Sequence, residues 1–183
     1  MKYIAFILLL LIVSSCKNET KTEIQTESSI DQSVYDMWNT YTASHPEFQK
    51  DKLPESWYFH DNKDDANRLA ALVLNGKKKA SSGLYAWYKE ANADLPKRGT
   101  KHIITDFDGK AKAIIEIKKA DTIPFYQISK AYAALDMGTT TDPLQKWKKA
   151  HWDFFANALE QSEETPTEDM LIVCEEFETI WPE

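Results

Sequence analysis

One β signal sits between helical patterns, and it limits the folds open to this chain. His102–Phe107 and Lys110–Ile117 are two β-rich runs on either side of Asp108-Gly109. Glycine accepts the positive φ of a tight reversal, so the pair reads as a hairpin. Ahead of it, Val34, Met37, Trp38 and Tyr41 fall at i, i+3, i+4 and i+7, one face of a helix starting at Ser33. Asp61-Asn62 can cap a second helix, with Asp64 and Asp65 in its first turn and Ala66, Leu69, Ala70, Val73 and Leu74 as its apolar face. Asn75-Gly76 stops that helix. Ser81–Ala91 reads as a short helix or turn, Pro124–Ala134 as a helix, and Asp142-Pro143 as the start of another. Leu144, Trp147, His151, Phe154, Phe155 and Ala158 form the stripe of that last helix. Met170–Trp181 reads as a closing strand. Helices, hairpin, helices and strand, without βαβ alternation, give an α+β domain rather than a doubly wound sheet. At 183 residues, 43% hydrophobic and 12% aromatic, the chain suffices for one domain with a core.

The N-terminus carries a different pattern. Met1-Lys2 precedes an apolar run, Tyr3–Val13, too short to span a bilayer and suited to a signal-peptide core. The run ends in Val13-Ser14-Ser15-Cys16, which resembles a bacterial lipobox. That resemblance implies a signal peptide over 1–15, lipid on Cys16, and an exported lipoprotein of the cell envelope. With no Asp after Cys16, it implies the outer rather than the inner membrane. Several acyl chains anchor a protein stably by hydrophobic burial. Residues 16–32 are then the lipidated Cys and a polar flexible tether, and 33–183 the folded domain with its added N-terminal helix.

Composition removes several functions. The net charge is −7, and loss of residues 1–15 makes it one unit more negative, against broad DNA binding. Two Cys, Cys16 and Cys174, exclude a disulfide scaffold and Cys-rich zinc sites. None of the five Gly builds a phosphate loop. His45, His60, His102 and His151 suggest no metal cluster, so neither metal nor cofactor is expected. His151, on an apolar helix face, reads as a core histidine with a hydrogen-bonded ring.

A series of motifs then follows in order. Trp57-Tyr58-Phe59 leads into the helix Ala66–Leu74 and Gly76-Lys77-Lys78-Lys79-Ala80-Ser81. Leu95-Pro96-Lys97-Arg98-Gly99, Asp106-Phe107-Asp108-Gly109, Ile115-Glu116 and Pro124-Phe125 come next. Trp147, His151, Trp152, Phe154 and Phe155 precede the strand Val173–Phe177. From Trp57 to Trp181 this order resembles the ASCH domain family. The resemblance implies a PUA-like small β-barrel with flanking helices and a cleft beside the Gly-x-Lys segment. It also implies RNA binding as the family's general activity, and in one branch an amidohydrolase acting on acetylcytidine.

That branch uses a Lys, a Thr three residues later and a more distant Glu. The resemblance carries the first two onto Lys78 and Ser81. A lysine held partly neutral can take the proton of a hydroxyl that attacks an amide, with a carboxylate to orient or relay it. Lys77 and Lys79 read as solvated. The family's acids fall on Met137 and Thr139, with Asp136 one residue away and Asp142 placed as a cap. The acid is therefore unmatched, and loss of such a group costs roughly 10²–10⁴-fold in rate. Glu116 is a secondary ligand candidate, since strand alternation puts it with Ile114, opposite Ile115 and Ile117. Trp57 and Tyr58 are candidates for stacking on a ligand.

Three readings stay open. One is a membrane-anchored module whose cleft around Lys78 and Ser81 binds a nucleoside-like or other small polar ligand without efficient catalysis. The others are an amidohydrolase on acylated nucleosides and a non-catalytic envelope interaction protein. An exported acidic chain disfavours RNA as the partner.

Overall fold

Strand β4 (Ala111–Pro124) is the longest of the sheet, and the other strands are ordered around it. In the computed structural model, which describes residues 30–160 and 163–182, it pairs antiparallel with β3 (Lys101–Thr105) on one side and β5 (Leu171–Trp181) on the other. β5 pairs antiparallel with β2 (Ala80–Leu84), and β1 (Glu55–Trp57) lies parallel to β3. The order is β1-β3-β4-β5-β2. Register shifts at Ile104/Thr105, Ile114/Ile115 and Ile117/Lys119 add local twist, and the mixed sheet curls into a half-barrel flanked by helices, an α+β fold.

Both faces of the sheet are covered. Ile103 and Ile114 pack under Val34, Trp38 and Tyr41 of α1 (Gln32–Ser44). On the other face Ile104, Ile115, Ile117 and Phe177 pack against Ala70 and Val73 of α2 (Lys63–Leu74). A third cluster joins β2 and β5 to two later helices through Ala80, Leu84, Ile172, Phe125, Trp147 and Phe155. That double coverage explains why Ala113, Ile114 and Ile115 of β4 are consecutive buried apolar residues.

Local chemistry sets the ends. The Asp31 carboxylate accepts from Ser33 N–H at 2.9 Å, so α1 starts at Gln32, inside the segment expected as tether. The Ser33 hydroxyl accepts from Ala111 N–H at 2.9 Å and ties the helix to the hairpin. The expected signal peptide, Cys16 and residues 17–29 lie outside the described residues. Asn62 caps α2 as expected, whereas Leu74, in its last turn, is exposed because nothing packs there. The hairpin closes with three residues, Phe107–Gly109. Gly109 takes φ +82°, and the Asp106 carboxylate accepts from the N–H groups of Asp108 and Lys110.

Two expectations are corrected. Ser81–Leu84 is strand, not helix or turn: Ser81, Ser82 and Gly83 carry little apolar signal, and β5 supplies the ladder that fixes them. Pro124 ends β4 rather than opening a helix. Phe125 stays bonded to Met170, and helix α4 is Lys130–Met137, capped by the Ser129 hydroxyl. Between them α3 (Tyr85–Glu90) follows β2 directly, and α5 (Pro143–Glu160) starts at Pro143 as expected, burying Trp147, Phe155 and Leu159. Gly138 ends α4 at φ +62°, where a Cβ would stand 3.3 Å from the Lys77 carbonyl, so α4 and the lysine run are in close backbone contact.

Candidate functional site

The lysine run is held by its backbone. Lys77 and Lys78 N–H both donate to Leu72 O, at 2.8 and 3.1 Å. Lys79 N–H donates to Leu135 O in α4, and Lys79 O accepts from Phe177 N–H in β5, each at 2.9 Å. Clamped in extended form between α2, α4 and β5, the three side chains alternate: Lys77 and Lys79 face solvent, while Lys78 turns inward and is 4% exposed.

Inside, Lys78 meets Asp136, which is 1% exposed. The ammonium donates to the Asp136 carboxylate and, at 2.9 Å, to the Asp136 backbone carbonyl near the α4 C-terminus, where a cation is favoured. It also stands 4.9 Å from the centroid of the Phe59 ring. The other carboxylate oxygen accepts from Ser82 Oγ at 2.6 Å and Trp147 Nε1 at 2.7 Å, with His151 Nε2 at 3.3 Å. Burial alone would raise the Asp136 pKa, but the charges of Lys78 and His151 and their hydrogen bonds hold it well below the usual carboxylate range. His151 stacks on Trp147 at 4.2 Å and donates through Nδ1 to Trp147 O at 3.0 Å. The Tyr132 hydroxyl, 3.0 Å from Ser82 Oγ, donates to the Ser81 carbonyl and fixes α4 to β2.

This network forms the floor of a cleft with two lobes. The polar lobe, about 330 Å³, is bounded by Arg68, Lys78, Ser81, Asp136, His151 and Asn157. The aromatic lobe, about 430 Å³, is walled by Trp57, Tyr58, Phe59, Trp87 and Tyr88, with Glu175 at its base. They share Phe59, His60, Ser81, Ser82 and Phe154. Each has the size of a small-molecule site, and apolar walls with a few convergent polar groups are the usual lining.

The structure brings Lys78, Ser81, Trp57 and Tyr58 to this cleft and leaves Glu116 out. Glu116 lies on the sheet face under α1, bonded to Lys118 at 2.6 Å and paired with Lys101 at 3.4 Å. Alternation decides it, because Ile115 and Ile117 take the face turned to α2. An acid does stand beside Lys78, one residue from the expected position. Asp136 reaches Lys78 from within α4, and Met137 lines the polar lobe beside it. Sequence reading set Asp136 aside as one residue off, and missed Ser82, Tyr88 and Glu175. A signal existed for the first: Tyr132, Ala133 and Asp136 share one buried helix face, and an acid on such a face requires a partner. His151 has the hydrogen-bonded ring expected of it but also fronts the cleft. Cys174 is buried, and its thiol is pushed up to about 12 by burial, which leaves it unreactive. Among the described residues, no three His, Cys, Asp or Glu side chains come together to hold a metal.

The family model described as ASCH domain matches residues 55–181. A crystal structure of an Enterococcus faecalis protein is similar, at TM-score 0.74 and 31% identity over 81% of this chain and 88% of the other. A crystal structure of an ASCH domain from Lactobacillus crispatus is similar at TM-score 0.74 and 29% identity, over 84% of this chain and 97% of that one. No curated protein matches the chain.

Proposed function

Because the chain belongs to the ASCH domain family, whose fold suggests a domain for small ligands or RNA, we propose that it is a small-ligand receptor. Its cleft around Lys78 and Ser81 takes a nucleoside-like or other small polar molecule and does not turn it over efficiently. One observation carries this reading: Lys78 is committed to a buried ion pair with Asp136 at the edge of an open, aromatic-walled cleft. A lysine that must take a proton from Ser81 has to leave that pair first. Among the described residues, no hydrogen bond joins Ser81 Oγ to Lys78 or to a carboxylate. What remains is a fixed polar wall beside flat aromatic faces, an arrangement suited to binding.

Titration of the purified protein with a panel of nucleosides, nucleotides and acetylcytidine, followed by calorimetry, tests this. We expect saturable binding of at least one compound, weakened tenfold or more in Lys78→Ala at a temperature where both proteins are folded. No binding across the panel sinks the reading. Release of acetate from acetylcytidine, lost in both Lys78→Ala and Ser81→Ala, replaces it with the amidohydrolase. Binding of a single-stranded RNA in preference to every nucleoside replaces it with an RNA-binding domain.

The proposal extends to location. Lipid on Cys16 anchors the domain at the cell envelope, supported by the ordered charge, apolar run and small residues before that Cys. Expressed in a bacterium, the full chain is expected in the detergent phase on phase partition, and Cys16→Ser in the aqueous phase. Equal partition of the two removes the anchor.

A further inference from the structure

Glu175 is the second buried acid of the cleft, and it differs from Asp136 in having few partners. It lies on β5 directly opposite Ser81 of β2, so both side chains project from the same face of the sheet. It is 7% exposed. Tyr88 OH donates to its Oε1 at 2.9 Å, and among the described residues no Lys, Arg or His pairs with it. Its second oxygen accepts no hydrogen bond from a described residue. That oxygen is not sealed in either, because His102 Nδ1 is the one fully buried side-chain nitrogen or oxygen without a partner among the described residues. Glu175 lines the aromatic lobe, and it also borders the neighbouring groove walled by Trp57, Tyr88 and Lys97.

Buried carboxylates are normally matched by a cation or several donors, as Asp136 is by Lys78, Ser82 and Trp147. We propose that the missing partner of Glu175 belongs to the ligand: the aromatic lobe takes a flat ring bearing an amino or amidinium group, whose N–H donors meet the Glu175 carboxylate. This deepens the reading of the cleft as a ligand site and rests on it. The walls agree with the charge. Trp57, Phe59, Trp87 and Tyr88 line the lobe, and aromatic rings attract cations and stack on flat rings. Burial raises the Glu175 pKa, the Tyr88 hydrogen bond lowers it, and the charges of Asp136 and Glu55 raise it further, with no cation among the groups that act on it. An anionic group placed there meets repulsion from Glu175 in a poorly solvated space.

Three isosteric probes test this on the unaltered protein: benzamidine (cationic), benzamide (neutral) and benzoate (anionic), followed by NMR shifts of the Trp indole N–H signals. Benzamidine is expected to bind at least tenfold more tightly than benzamide, with benzoate not binding. Glu175→Gln, which keeps the shape, is expected to bring benzamidine down to the level of benzamide. If Tyr88–Glu175 only ties α3 to β5, the charge order vanishes. Equal binding of the three probes, no benzamidine binding by the folded protein, or benzamidine binding that survives Glu175→Gln overturns the proposal. The probe series needs no variant, so it decides the matter even where Glu175→Gln misfolds. Lys78-dependent nucleoside binding together with indifference to the probes' charge removes this inference alone; absence of binding in both experiments removes the function reading as well.

Discussion

Replacing Asp136 with asparagine is expected to lower the unfolding free energy by about 3–5 kcal/mol, the cost of breaking a buried ion pair from one side. The Lys78 ammonium then sits 4% exposed against a neutral amide. The amide also fits the donors poorly. Asp136 accepts from Lys78 through one oxygen and from Ser82 and Trp147 through the other. Asparagine can turn its carbonyl to one side alone, and its NH₂ then faces donors on the other. For a chain of this size the melting temperature falls by about 10 °C. Urea denaturation of both proteins at pH 7 measures the difference, and a loss under about 1 kcal/mol contradicts the network.

The pH dependence has a definite sign. The folded-state pKa of Asp136 is depressed, so its contribution is complete above the unfolded carboxylate value, about 3.9, and is lost as the pH falls through the folded value. Wild type therefore weakens in acid by a route that Asp136→Asn lacks. Glu175 works in the opposite direction. Its folded pKa is raised, so the folded state keeps that proton longer, and stability falls as the pH climbs from the unfolded value through the folded one. One acid of the cleft holds the fold together at neutral pH. The other weighs against it, as expected of a group kept for binding rather than stability.

Much of the fold was legible because strong periodicity survives any tertiary context. Val34, Trp38 and Tyr41 fix α1; Ala66, Ala70 and Val73 fix α2; Gly109 marks the reversal between β3 and β4. β2 was not legible. Ala80-Ser81-Ser82-Gly83-Leu84 has neither β-branched residues nor clear alternation, and only pairing with β5 makes it a strand. The start of α4 was hidden because Pro124 suits a helix start as well as a strand end, and Ser129, the actual cap, carries no mark of its own. Half of the site followed the same division. Lys78 and Ser81 lie in one short motif and could be read together. Asp136 and Glu175 are 58 and 94 positions from Lys78 and Ser81, and meet them only through α4 packing on β2 and the β2–β5 register. Glu116 was misplaced for a related reason: alternation gives two faces, and only the positions of α1 and α2 tell which helix covers each.

The double variant Lys78→Met/Asp136→Leu separates what the ion pair does for the fold from what it does in the cleft. Lys78→Met alone leaves a carboxylate buried without its main counter-charge, and is expected to cost about 3–5 kcal/mol, like the change at Asp136. Removing both charges leaves apolar side chains of similar volume where the pair stood, a replacement that is often neutral or better. Ser82, Trp147 and His151 still lose an acceptor. Ser82 Oγ can turn to Tyr132 OH at 3.0 Å, Trp147 Nε1 already lies 3.3 Å from Ser82 Oγ, and His151 keeps its Nδ1 bond to Trp147 O, so each keeps a partner. A residual loss of about 1–3 kcal/mol is expected, less than for either single variant, with a coupling of several kcal/mol in the cycle. Denaturant midpoints of the four proteins give that number. The nucleoside titration, repeated on the double variant, gives the other: binding is expected to stay lost although the fold is largely recovered. A loss equal to the sum of the singles means that Lys78 and Asp136 act independently. Recovered stability with intact binding means that the charged wall of the cleft is a folding device, and removes the observation on which the proposed function rests.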